Sequence, residues 1–160
     1  MRSWLPLGIL LAWALMALFG PLLPLEPARI DLPQILAGPG AGHWLGNDDL
    51  GRPVLDRLVM GARTSFVVAL GVVLVSGAIG SLLGALSAYW GGLADLVLVR
   101  VIDVFLAFPG ILLAIALAGV MGPGIDNLIL ALCLVGWVGY ARLARAQVLA
   151  LKQRDHVIAA

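Results

Sequence analysis

Residues 65–90 read SFVVALGVVLVSGAIGSLLGALSAYW, an unbroken run with no charged side chain, rich in Val, Leu, Ala and Gly. About 20 apolar residues in a helix cross a hydrocarbon core of about 30 Å, so this run spans a bilayer with residues to spare. Three further apolar runs follow the same rule: Leu5 to Leu23, a stretch after Arg100 to about Met121, and Ile125 to about Tyr140. The whole chain agrees. Of its 160 residues 62% are hydrophobic and only 12% charged, with a mean hydropathy of +1.06, against roughly 25% charged in soluble domains. The sequence therefore predicts an all-α, polytopic membrane helical bundle with four transmembrane helices.

The first run follows Arg2 and so competes with a secretory signal. It is longer than a typical signal core, and Gly20, Pro21 and Pro24 stand where a small-residue cleavage site belongs, so it reads as an uncleaved span. Three segments result: residues 1–24 as an N-terminal helix, 25–63 as an external linker, and 64–160 as the core. Short turns at Gly91 to Asp95 and Gly122 to Asn127 separate the later spans, with Asp126 placed to cap the last.

Four crossings put both chain ends on one side. That side, with the Gly91 loop, carries six basic and three acidic residues, net +3; the other carries four basic and six acidic, net −2. Basic excess near span ends favours the cytoplasm, so the linker is expected outside. Scattered basic residues give no footprint for nucleic acid. Cys133 is the single cysteine, which excludes an intramolecular disulfide.

The linker is rich in proline and glycine until Gly51. Pro53 then suits a helix start, and Val54, Leu55, Leu58 and Val59 form an apolar stripe with Asp56, Arg57 and Arg63 off it. Two readings fit: an amphipathic helix along the membrane surface, or a solvated linker kept out of lipid by its charges.

Within the core, Gly77, Gly80, Gly84 and Ala88 form a ladder of small residues three or four apart. In lipid, close backbone approach across small residues is a main source of helix association, so this face is expected to pack on another helix. Arg100 and Asp103, at i and i+3 near an expected helix start, can pair locally with the aspartate toward the positive dipole end; a functional role for Asp103 is the competing reading. Pro109 should kink the third span. The last span ends near Trp137 and Tyr140, continues through Arg142 and Arg145, and leaves the bilayer as a basic, amphipathic tail.

Several of these stretches carry a resemblance. LGNDDLGRPVLDRLVMGART resembles LGTDxLGRDVxSRLxxGAR, which precedes the first core helix in permease subunits of the dipeptide, oligopeptide and nickel ABC importers. The match rests on Leu45, Gly46, Asp48, Leu50, Gly51, Arg52, Val54, Arg57, Leu58, Gly61, Ala62 and Arg63; it departs at Asn47, Pro53 and Asp56, where the family has Thr, Asp and Ser. RVIDVFLAFPGILLAIAL resembles the same family's RxxDxxxxxPxxLLAIAL. GYARLARAQVLALKQRDHVIAA resembles the approach to the cytoplasmic coupling loop called the EAA loop, with Val157, Ala159 and Ala160 matching, His156 for Tyr and Ile158 for Glu.

The resemblance implies the second, C-type permease of such an importer, with a type I ABC permease fold that is incomplete here, since the family continues through the loop and about two more spans. It implies a path for peptides or nickel formed with a homologous permease, a periplasmic solute-binding protein that delivers the solute, and two cytoplasmic ABC ATPase subunits. The segment Arg154, Asp155, His156, Val157, Ile158, Ala159 and Ala160 would dock on an ATPase. No residues look catalytic: there is no phosphate-cradling GxxxxGK[ST], no HExxH and no metal-ligand spacing, and His43 and His156 fall on opposite sides of the membrane. No enzyme activity and no cofactor are expected. A self-sufficient four-span channel or secondary transporter is the alternative. It would need polar groups along a central path, and the spans offer few beyond Asp103, Ser76, Ser81 and Ser87.

Overall fold

A computed structural model describes residues 4–153. Five α-helices account for most of them: α1 (Trp4–Phe19), α2 (Val54–Trp90), α3 (Gly92–Leu106), α4 (Gly110–Met121) and α5 (Ile125–Lys152), and no strand forms among the described residues. The chain divides into two compact units, residues 1–67 and 68–160.

In the first unit α1 is apolar on all sides and nearly all exposed, with Ala17 its one buried residue. A helix greasy all round is matched to lipid. A single 3-10 turn at Gly20–Leu22 ends it, set by Pro21. Trp13 meets Phe66 edge to face at 5.6 Å, and Gly20 lies directly against Val59, so a side chain there would collide.

The helix that starts at Val54 does not stop at the membrane boundary. α2 runs unbroken for 37 residues, about 55 Å at 1.5 Å per residue, so residues 54–64 continue the axis of the span instead of forming a separate helix along the surface. The expected stripe also shifts. Val59 and Ala62 are buried whereas Leu58 is exposed, because Val59 and Ala62 share the side of α2 that includes Phe66.

The second unit is organised around α5. Ile102, Val138 and Ala141 are buried together, with Leu98, Phe105 and Trp137 around them, and Phe105 meets Trp137 edge to face at 5.6 Å. α4 packs along α5 and α3 against it. The third crossing is not a kinked single helix. α3 starts at Gly92, well before Arg100, and is separated from α4 by a break at Ala107–Pro109 with an 84° bend. The proline has no N–H to continue the ladder, and Phe108 instead closes a short turn onto the Phe105 carbonyl at 3.4 Å. Among the described residues three helical segments are long and apolar enough to cross a membrane, or four if the bent pair counts as one span.

The earlier helix start alters Asp103. It lies three residues from the last residue of α3, at the negative end of the dipole, and its backbone carbonyl accepts from Ala107 at 3.0 Å. The expected pairing with Arg100 does not form; both side chains are exposed. Nor does Asp126 cap α5. Gly124 holds that position, and Asn127 binds back to the Met121 and Gly122 carbonyls at 2.8 and 3.2 Å, closing the α4–α5 turn.

Candidate functional site

Asp48 organises the turn that precedes α2. Its Oδ1 accepts the N–H groups of Leu50 and Arg52, both at 2.9 Å, and its Oδ2 accepts Nε of Arg52 at 2.8 Å and Nη1 of Arg57. Burial opposes ionisation of this carboxyl, but the Arg52 and Leu50 amides and the Arg52 guanidinium outweigh it and hold the group well below the usual carboxylate range. The turn brings Asn47 opposite Pro53. Pro53 therefore sits just before α2, and its carbonyl accepts the first helical bond, from Arg57 at 3.2 Å.

Two glycines of the motif are dictated by this geometry. Gly51 has φ of 73° and faces the Asp31 backbone so closely that any side chain would collide; Gly46, with φ of 72°, would put a Cβ 2.6 Å from the Ala37 carbonyl. The departures from the family pattern also make contacts. Asn47 donates to the Gln34 carbonyl and side chain at 3.3 Å, and Asp56 accepts the N–H of Glu26 at 2.9 Å, pinning the start of the linker. Leu45, Gly61 and Arg63 are exposed and take no part in the polar network around Asp48, whereas Leu50, also exposed, joins it through its backbone N–H alone.

The small-residue ladder lies against α5. A Cβ on Gly84 would come within 2.8 Å of the Ala141 backbone, one on Gly80 within 2.9 Å of Tyr140 Cβ, and one on Gly77 would lie 3.7 Å from the Tyr140 ring; Ala88 is fully buried. From the other side Gly136 leaves room for Ser76, whose hydroxyl is buried.

The composition reading missed what lies at the far end of α5. Arg145 forms a two-pronged ion pair with Asp95, and Lys152 donates to the Ala88 and Tyr89 carbonyls. The signal was present, since these charges share one side in the topology, but pairing across 50 residues of sequence has no periodicity to reveal it. Arg154, Asp155, His156, Val157, Ile158, Ala159 and Ala160 lie outside the described residues. Among the described residues no cluster of His, Cys, Asp or Glu is suited to a metal ion.

Long apolar helices packed through glycine define a multi-pass helical membrane protein. Residues 80–160 match the profile of the family described as "Binding-protein-dependent transport system inner membrane component". The chain belongs to this family. It is 41% identical over 153 residues to the probable D,D-dipeptide transport system permease protein DdpC of Escherichia coli K12, covering 95% of this chain and 51% of that protein. It is 41% identical over 154 residues to the dipeptide transport system permease protein DppC of Bacillus subtilis 168, covering 96% and 48%. To the nickel transport system permease protein NikC of E. coli K12 it is 39% identical over 137 residues, covering 86% and 50%. The chain spans about half the length of the curated relatives it matches. Family membership favours a permease subunit over a self-sufficient channel.

Proposed function

We propose that this chain supplies part of the membrane path of an ATP-driven importer for peptides or nickel, working with a homologous permease, a periplasmic solute-binding protein and two cytoplasmic ATPases that carry out all nucleotide hydrolysis. The observation that carries this reading is the family match over residues 80–160 together with relatives whose names are those of dipeptide and nickel permeases. The residues from Arg154 onward would dock on an ATPase and convert its closure into rigid-body rocking of the packed helices, a recognised route to alternating access.

The charge asymmetry supports a cytoplasmic position for both ends, with the bent α3–α4 pair counted as one crossing. The Asp48 turn then lies outside. Growth complementation tests the substrate: the full-length gene should restore uptake in a strain deficient in peptide import or in one deficient in nickel import. Rescue of neither, with the protein present in the membrane, would overturn the assignment. Co-purification of ATPase subunits with the full-length chain is expected, and their absence would favour the channel alternative.

A further inference from the structure

Arg145 and Lys152 stand seven residues apart on α5, two helical turns, and so share a face. Both reach the same neighbour, the corner at which α2 ends and α3 begins. Arg145 grips Asp95 with Nε to Oδ1 at 2.6 Å and Nη2 to Oδ2 at 2.7 Å. Lys152 donates to the carbonyls of Ala88 and Tyr89 at 3.0 and 2.7 Å, and its ammonium lies 5.8 Å from the Tyr89 ring centre.

Each contact has a physical cause. The last carbonyls of α2 have no following turn to bond them and sit at the negative end of the helix dipole, where an ammonium is favoured. The paired guanidinium and carboxylate are both largely covered, at 30% and 20% exposure, and two parallel bonds fix orientation as well as distance. Neither contact is required to bring α2 to α5, because the Gly80 and Gly84 surface already does so. Their effect is to stop the end of α5 from sliding or turning against the corner.

Resting on the importer reading above, we propose that Asp95, Arg145 and Lys152 are positioning residues that clasp the α2–α3 corner to the end of α5, so that force arriving at the residues after Lys152 moves α2, α3 and α5 as one body.

The test uses the full-length permease assembled with its partner subunits and binding protein in liposomes. Asp95→Asn and Arg145→Gln are expected to raise the ATP consumed per solute imported by about tenfold, the size of a typical coupling energy, with basal hydrolysis within about twofold of wild type. The exchange D95R/R145D should recover most of the lost coupling. A second measurement does not depend on the variants folding. Spin labels at Leu93→Cys and Leu143→Cys, both exposed positions, in a Cys133→Ala background, should hold one separation with and without ATP. A wild-type coupling ratio in D95N, no recovery in the exchange, or a label separation that changes by more than about 5 Å overturns the clasp. An assembled wild-type complex with no ATP-driven uptake overturns the importer reading, and the clasp with it; normal uptake with unaltered D95N overturns the clasp alone.

Discussion

Asp48 shows how one carboxylate replaces a hydrophobic core in a segment too short and too rich in glycine and proline to have one. Four donors converge on it: two backbone amides and the Arg52 guanidinium that fix the turn, and the Arg57 guanidinium that ties it to the first turn of α2. Its ionised form is favoured in the folded chain, so the stability it contributes is complete above the ordinary aspartate range, about pH 4, and is lost as pH falls from there toward its depressed folded value. Amide exchange across residues 46–57 should therefore accelerate as pH falls below about 4, after correction for the intrinsic rate. In Asp48→Asn the exchange should be fast at neutral pH and lack that acid step. An unchanged acid step in the variant would mean that another group holds the turn.

α5 and its neighbours separate glycines that are required from glycines that are incidental. Gly84→Ala gains helix propensity of about 1 kcal/mol but forces a Cβ to within 2.8 Å of the Ala141 backbone. Overpacking against backbone costs about 1–3 kcal/mol, so the net effect is destabilising. Gly119→Ala and Gly139→Ala gain the same propensity and meet nothing within 4 Å, so they should be neutral or stabilising. Thermal unfolding of the three variants in one detergent gives the comparison, and a G84A midpoint equal to that of G119A would show that α2 and α5 do not approach as described. The α3–α4 break is a second case. Pro109→Ala restores one N–H, worth about 0.5–1.5 kcal/mol net. Straightening the pair would withdraw Ala114, which is buried, and Gly110, where an added Cβ would lie 3.3 Å from Val135, from their packing. The packing is the larger quantity, so the 84° bend should persist in P109A. A label-to-label distance between Leu96 and Ile115 that lengthens in P109A would reverse that ranking.

The chain as a whole makes its prediction through orientation. A cysteine replacing Trp44, which is 78% exposed in the outer loop, should react with a membrane-impermeant maleimide in intact cells. A cysteine replacing Lys152 should react only after permeabilisation, and native Cys133, which is buried, should react in neither. Labelling at Lys152 from outside would place the α5 end on the wrong face for an ATPase. It would also contradict the contact of Lys152 with the Ala88 and Tyr89 carbonyls, which keeps the ends of α2 and α5 on one side.

Solvent preference is written locally, and so the helical membrane character could be read directly from residues 65–90 and the three other apolar runs. The glycines at 77, 80 and 84 were equally legible, since absence of a side chain acts on its own helix; Pro109 announced an interruption, read as a kink, but not that it separates two helices. The start of α3, the continuity of α2 through the outer motif and the pairing of Arg145 with Asp95 were not. Each depends on which distant group supplies a partner: Asp103 had no way to signal that its helix begins at Gly92, and Lys152 could not announce that the Ala88 and Tyr89 carbonyls lie open beside it. Burial in lipid is a property of a segment, whereas a directional polar bond is a property of two segments, and its place is fixed when the chain has packed.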